Sequence, residues 1–475
     1  MQAFDTVIRN GTLATAADVF EADLGIVDGR VAAIGSNLAS GRCDIDARGK
    51  LVMPGGVDAH CHLDQPTTNG SVFADDFLTG TRAAACGGTT TVIPFACQNK
   101  GDSMPAVVAD YHRRAEGKAV VDYAFHLIVS DPTEQLIARD LPRLVQEGYT
   151  SFKLYMTYDD LKLNDRQVLE LLDLARRLGA MPMIHAENAD FIGWLTERLL
   201  SAGRTQPRYH ADSRPMLVER EATHRAISMS ELADVPILIV HVSGREAVEQ
   251  IHWAQGRGMQ IYAETCPQYL VLTERDLAGQ GFEGAKCVCS PPPRDEANQA
   301  VIWDGLASGL FSIVSSDHAP FRYKDPQGKM LLGDETPFNW VPNGVPGIET
   351  RLPILFSEGV HKGRITLQRF VELTATNPAK LYGLYPRKGS LAIGADAYIV
   401  VYDRQRTLTI RNEMLHHNVD YTPYEGLEIT GWPELVLSRG DIVVEKGDCT
   451  AKPGRGLFLR CAAPELAKPR TRTRR

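Results

Sequence analysis

His60-Cys61-His62 is the first group in this chain whose residue types and spacing could do chemistry. It closes an apolar run, Leu51 to His62, that reads as a strand, and on a strand residues two apart point to the same side. Two imidazoles on one side can hold one metal ion. Alone, such a pair is a weak signal. Asp58 lies on the same face, either supporting the histidines or serving as a polar group at the edge of the core. Lys153 stands in the apolar run Ser-Phe-Lys-Leu-Tyr, where a lysine is costly unless paired or modified. His185 sits in Met-Ile-His-Ala-Glu, His241 in Ile-Val-His-Val-Ser, and Asp317 between Ser316 and His318. Singly, each has a plain structural reading: a snorkelling or salt-bridged lysine, or histidines hydrogen-bonded at strand ends.

The elements that must position these residues turn the list into a constellation. Eight apolar runs read as buried strands: Leu51–His62, Thr89–Phe95, Val121–Val129, Ser151–Tyr155, Met181–Ala186, Pro236–His241, Met259–Glu264 and Phe311–Ser316. Helical patterns lie between them, as where Val168, Leu171, Leu172, Ala175 and Leu178 share one face. Glu219–Ala233 and Arg245–Arg257 read similarly. Eight strands alternating with helices point to an α/β fold, a (β/α)8 TIM-like barrel. The six ligand-type residues then fall at the ends of strands 1, 4, 5, 6 and 8, and in a barrel those ends converge on the functional face. Four histidines, one lysine and one aspartate are too few ordinary ligands for two closed metal sites. They suffice if Lys153 reacts with carbon dioxide, because the carbamate is anionic and its two oxygens can bridge two metals. The open positions can then hold a bridging hydroxide, which two cations allow to form near neutral pH.

Both ends of the chain read differently from the middle. Phe4–Arg9, Asp23–Val27 and Arg30–Ile34 are short β-rich runs, with hairpin signals at Asn10-Gly11 and Asp28-Gly29. After Gly389 come Tyr398–Tyr402, Thr407–Ile410, Glu434–Ser438 and Ile442–Glu445, with a turn at Arg439-Gly440-Asp441. These ends are expected to pair into a small β-sandwich domain, residues 1–52 and 385–460, with the barrel, 53–384, inserted between them and a basic tail at 461–475. The Pro-rich segments Ser290–Arg294 and Lys324–Pro346 are expected to form long loops over the barrel mouth.

Bulk properties exclude other classes. The 475 residues are 44% hydrophobic and 23% charged, a globular mix, and 51 basic against 59 acidic residues leave a net charge of -8, which disfavours nucleic acid as a partner. Asp5 and Arg9 stand where a signal peptide needs an apolar core. No uncharged apolar run reaches membrane-spanning length. The nine cysteines are scattered, without paired CxxC motifs, as suits reduced thiols in the cytoplasm. The closing Lys468, Arg470, Arg472, Arg474 and Arg475 read as a solvated end.

From Gly11 to about Phe458 the chain resembles the dihydropyrimidinase and D-hydantoinase family of cyclic amidohydrolases. The motifs that carry the resemblance are PGGVDAHCHLD at 54–64, FKLYMTY at 152–158, HAEN at 185–188, HVSGREA at 241–247, AETCPQYL at 263–270, SPPPR at 290–294, SSDHAPF at 315–321 and PNGVPGIE at 342–349. The resemblance implies that His60, His62, Lys153 and Asp317 bind one zinc ion, and that carboxylated Lys153, His185 and His241 bind a second. It implies that the Tyr158 phenol supports the carbonyl oxygen as it becomes an oxyanion. By the same resemblance, main-chain groups of Ser290 and Asn343 hold the ring amide, and Asp317 carries the proton from the attacking hydroxide to the leaving nitrogen. Packing at the mouth, for Tyr158, and turn formation, for Ser290-Pro291 and Asn343-Gly344, stand beside those roles.

The implied reaction opens 5,6-dihydropyrimidines, 5-substituted hydantoins or both to N-carbamoyl amino acids. Asp64 stands where the related dihydroorotases have arginine and allantoinases asparagine, which favours a neutral cyclic ureide or imide. Gln65 replaces the usual methionine and Tyr155 the usual phenylalanine, giving a more polar pocket less suited to bulky aryl substituents. An allantoinase-like or other ureide hydrolase is the neighbouring alternative. A non-catalytic assembly relative is the distant one, and the six filled ligand positions weigh against it. The family also implies a homotetramer; Tyr421, Tyr424 and Trp432 belong either to such a contact or to the core of the sheet domain.

Overall fold

The computed structural model describes residues 4–469. Eight parallel elements form the barrel: β1 (Gly56–Cys61), β2 (Thr89–Cys97), β3 (interrupted, Asp122–Tyr123 and His126–Ile128), β4 (Ser151–Tyr155), β5 (Met181–His185), β6 (Ile237–Ile239), β7 (Ile261–Thr265) and β8 (Ile313–Val314). Their ladder follows chain order from β1 to β8. The ring closes beyond β8, where the Asp317 amide donates to His60 O at 2.9 Å and the His62 amide to His318 O at 2.7 Å. Every strand is buried on both faces, inside by Ala59, Phe95, Met183 and Leu238 among others and outside by helices. This double burial is why the strands read in sequence as continuous apolar runs.

The helices obey ordinary end chemistry. Asp165–Leu178 begins at a capping box, with the Asn164 side chain accepting from the Gln167 amide, and ends on Gly179 in the left-handed region. Its face of Val168, Leu171, Leu172 and Ala175 is buried, as the spacing predicts. Helices Met216–Ala233 and Arg245–Gly256 lie where the other two patterns place them.

Leu51–His62 is two strands rather than one. Leu51–Pro54 pairs with Ile399–Tyr402 in the small sheet, and only Gly56–Cys61 enters the barrel. The chain changes sheets at Gly55, where a Cβ would lie 2.2 Å from Thr90 Oγ1. Apolar content cannot signal that switch, because both strands are equally buried.

The small domain is one nine-stranded sheet built from both chain ends. It folds back on itself: the Asp28-Gly29 hairpin touches the Arg439-Gly440 turn, five strands away in the ladder, around a core that includes Ile8, Leu24, Ile399 and Leu437. Asn10-Gly11, expected as a turn, is a bulge inside the long strand Thr6–Ala14. Asn10 takes φ 57° there, and Gly11 lets Val52 pack against bare backbone. Tyr421, Tyr424 and Trp432 are buried, but in a core shared with barrel loops through Leu277, Val288 and Val341 rather than in the sheet domain's own core, so the expectation that they fill the latter is corrected.

Beyond the sheet, the segment around Leu457–Cys461 runs along the barrel, with the Leu459 amide donating to Tyr123 O and the Cys461 amide to Gly148 O. Residues 470–475, the end of the expected tail with four of its arginines, lie outside the described residues. All nine cysteines carry free thiols. Among the described residues, no helix is long and apolar enough to cross a membrane.

Candidate active site

Five of the eight barrel strands deliver these residues in or just beyond their C-terminal halves. β1 carries His60 and leads into His62, β4 carries Lys153, β5 ends on His185, and His241 and Asp317 follow β6 and β8. His241, Asp317 and Tyr158 all take positive φ, 39°, 47° and 67°, a conformation costly for non-glycine residues and concentrated at functional sites.

All six expected ligand-type residues meet. His60 Nε2 lies 3.1 Å from Asp317 Oδ1 and His62 Nε2 3.4 Å from the same oxygen. Lys153 Nζ is 3.4 Å from His60 Nε2. The His185 and His241 rings are 4.4 Å apart, and His60 and His241 are 5.4 Å apart. One ligand atom each from His60, His62 and Asp317 fall within 4.8 Å of one another, so these residues could share a cation. His241 Nδ1 is buried without a hydrogen-bond partner, a cost that a ligand would remove.

The surroundings aim the imidazoles inward. Glu264 Oε1 accepts from His60 Nδ1 at 2.6 Å and from the His241 amide at 3.1 Å. Gln65 Oε1 pairs with His62 Nδ1 at 2.8 Å, and Glu187 Oε2 with His185 Nε2 at 2.7 Å. Each contact occupies one ring nitrogen and leaves the other for the centre, the arrangement metal-binding histidines require. Glu187 is held in turn by Arg214 at 2.7 Å.

Electrostatics agree with a metal-binding set. Burial pulls the Lys153 amine down to about 8, against the opposing pull of Glu264 and Asp317, so a useful fraction is neutral and nucleophilic near pH 7. Burial would raise the Asp317 carboxyl, but His60, His62 and His241 hold it well below the usual carboxylate range. Burial lowers His185 and His241, favouring the neutral imidazole that binds metal.

The centre lies at the floor of a cleft of about 330 Å³. Tyr158, Ser290 and Asn343 all line this cleft, and the Ser290 hydroxyl lies 3.4 Å from His210 Nε2. Tyr155 stacks on His185 with ring centres 5.2 Å apart. Thr67, Thr68, Asn69, Asn99 and Asp160 bring polar groups to the cleft wall, beside the apolar Phe73, Leu161, Trp340 and Val341. Asp64 does not line the cleft; it turns away to Arg114 at 2.9 Å.

Several residues here carried no sequence reading. Glu264 and Glu187 fall within quoted motifs, and an acid two residues past a strand-end histidine, as in His185-Ala-Glu187, is a usable signal. Lys329 is fully buried, its ammonium donating to Val288 O, Pro342 O and Gly344 O at 3.0, 2.6 and 2.7 Å. It ties together the loops that present Ser290 and Asn343, and nothing local in sequence announces it.

Comparison with known proteins places the chain. Residues 51–443 match the amidohydrolase family. The D-hydantoinase of Geobacillus stearothermophilus is 47% identical over 459 residues, covering 96% of each chain. That of Ralstonia pickettii is 43% identical, covering 96% of this chain and 98% of its own. The crystal structure of dihydropyrimidinase from Brevibacillus agri NCHU1002 matches with a TM-score of 0.94 at 45% identity, over 96% of this chain and 99% of that one. With the barrel, its ligand set and these relatives in agreement, the chain belongs to the dihydropyrimidinase and D-hydantoinase family of cyclic amidohydrolases.

Proposed function

We propose that this enzyme hydrolyses the ring amide of 5,6-dihydropyrimidines and small 5-substituted hydantoins, releasing N-carbamoyl amino acids. The observation that carries the reading is the convergence of four histidines and Asp317 on a fully buried lysine. His60, His62 and Asp317 would hold one divalent cation, His185 and His241 the other, with Lys153, carboxylated by carbon dioxide, shared between them; zinc is the ion we assign. Two such cations supply Lewis acidity toward the carbonyl and an acidified water. The low proton affinity of the Lys153 amine supports its carboxylation.

The chain's own groups do the rest. The Asp317 carboxylate receives the proton of the attacking water and delivers it to the leaving ring nitrogen. The Tyr158 phenol, half-buried at the cleft it lines with Ser290, donates to the carbonyl oxygen as negative charge develops there. Main-chain groups at Ser290 and Asn343 hold the ring amide, and Lys329 keeps their loops at a fixed distance. The polar groups that Thr67, Thr68 and Asn69 bring to the cleft wall suit rings with small or polar substituents better than bulky aryl groups. We further propose a cytoplasmic homotetramer. Phe191, Trp194, Leu217 and Leu232, exposed on the helices after β5, supply apolar surface for contacts between copies.

The test is hydrolysis of 5,6-dihydrouracil beside hydantoin and a 5-aryl hydantoin by zinc-loaded enzyme, with Lys153→Ala as control. Turnover of the first two, abolished in the control, is expected. Inactivity toward both, in protein shown to hold two metals, would move the reading to an allantoinase-like ureide hydrolase. Protein that holds no metal would return it to a non-catalytic assembly relative.

A further inference from the structure

A second cluster of ligand-type side chains lies outside the catalytic cleft. Cys86, Glu349 and His416 each offer one ligand atom within 4.8 Å of the other two. Cys449, on the short strand packed against the helix that ends at Cys86, lies at the rim of this group and would complete it by a small inward shift. Four distant segments meet here: the end of helix Thr79–Cys86, the loop after β8, the stretch after Asn412–Met414, and the short strand Asp448–Cys449. Cys86 immediately precedes β2, so the cluster sits by the N-terminal ends of the barrel strands, away from the face that carries the catalytic ligands.

The chemistry of the set is specific. Two sulfurs, an imidazole and a carboxylate are ligand types of four-coordinate zinc, and paired thiolates select soft or borderline cations over magnesium or calcium. Glu349 is buried and already oriented, its two oxygens accepting from the His416 main-chain amide at 2.7 Å and Nδ1 at 2.8 Å. Charge closes as well. Cys449 and burial hold the Cys86 thiol up, so a cation must displace its proton; two thiolates and one carboxylate are then balanced by a divalent cation together with Arg82. The His416 side chain is 28% exposed, leaving an entry path.

We propose that Cys86, Cys449, His416 and Glu349 form a structural site for a thiophilic divalent cation of the zinc class. It fastens the last hairpin of the sheet domain to the barrel. Binding sends the thiol protons to solvent.

The test is Co2+ loading of the reduced, full-length protein without oxygen, read by absorption. The catalytic ligands are nitrogen and oxygen, so the part of a sulfur-to-cobalt charge-transfer band that is lost in Cys449→Ser reports this cluster. The band is expected in the parent and in His62→Asn, and is expected to fall more than tenfold in Cys449→Ser. His416→Ala, on the exposed side, should weaken the cobalt affinity read from the band at least tenfold while leaving the fold intact. Mass analysis should count one more metal ion per chain in the parent than in Cys449→Ser. Absence of the band in the loaded parent, or its survival in Cys449→Ser, overturns the site.

Discussion

Gln65 does at the centre what the methionine usual in this family could not. Its carbonyl, 2.8 Å from His62 Nδ1, fixes the proton on that nitrogen and leaves Nε2 for Asp317 and the centre. A thioether is a weak acceptor and would leave the ring less defined. Gln65→Met is therefore expected to loosen metal retention by roughly tenfold, measured by competition with a chelator, while Gln65→Glu keeps it. Equal retention in Gln65→Met would show that His62 is oriented by other means. Glu187 makes a second prediction at this scale. Burial would raise its carboxyl from 4.5, but Arg214 and His185 override burial and hold it at about 2. The folded state thus binds this proton less tightly than the unfolded one. The stabilisation is fully present above about pH 4.5 and is lost as pH falls toward 2. It amounts to about 3 kcal/mol at most. Unfolding free energies of the parent and Glu187→Gln should converge across that window, and parallel curves would refute the assignment.

Lys329 acts on elements rather than atoms of the substrate. Its ammonium gathers carbonyls from the loop before Ser290 and the loop around Asn343. Lys329→Met removes the donor and leaves the Pro342 and Gly344 carbonyls unpaired, while Val288 O keeps the Gly344 amide; the cost is about 1–3 kcal/mol for each unpaired acceptor. The expected result is a KM raised more than tenfold with a smaller loss in kcat, and a lower melting temperature. An unchanged KM in folded protein would mean the loops are set by their prolines alone. This residue also marks how far sequence could reach. The six convergent residues were legible because each places a costly polar group at the end of an apolar strand, an anomaly visible locally. Glu264, which holds His60 from 204 positions away, and the Arg294–Glu219 pair, 75 positions apart, are not anomalies until the fold brings them together. The elements followed the same rule. Strands buried on both faces were read nearly to the residue, whereas the change of sheet at Gly55 and the bulge at Asn10-Gly11 depend on which strand lies alongside.

The whole molecule depends on a joint between its two parts, and Asp122 is its centre. The carboxylate sits in β3, fully buried, and accepts from Lys388 Nζ at 3.2 Å, from the Leu457 amide at 3.0 Å, and from Tyr398 and Arg439. Those partners come from the approach to the small sheet, from the sheet itself and from the segment that returns along the barrel. Burial raises the carboxyl, but Lys388 and then Tyr398 and Arg439 outweigh it and keep it ionised. Lys388 is pulled down to about 7 by burial, so it depends on Asp122 to stay charged. Asp122→Ala drives Lys388 to give up its proton and leaves Tyr398 and Arg439 without their acceptor, and removing one partner of a buried pair costs about 3–5 kcal/mol. The loss should fall on the joint. Denaturant unfolding of Asp122→Ala, in a variant whose other four tryptophans are replaced by phenylalanine, is expected to separate into two transitions, with fluorescence from Trp432 in the sheet domain moving before the far-ultraviolet signal. Asp122→Ala combined with Lys388→Met removes both charges and should recover part of the loss. A single transition shifted as a whole would mean that sheet and barrel unfold as one unit and that the joint only adds to their common stability.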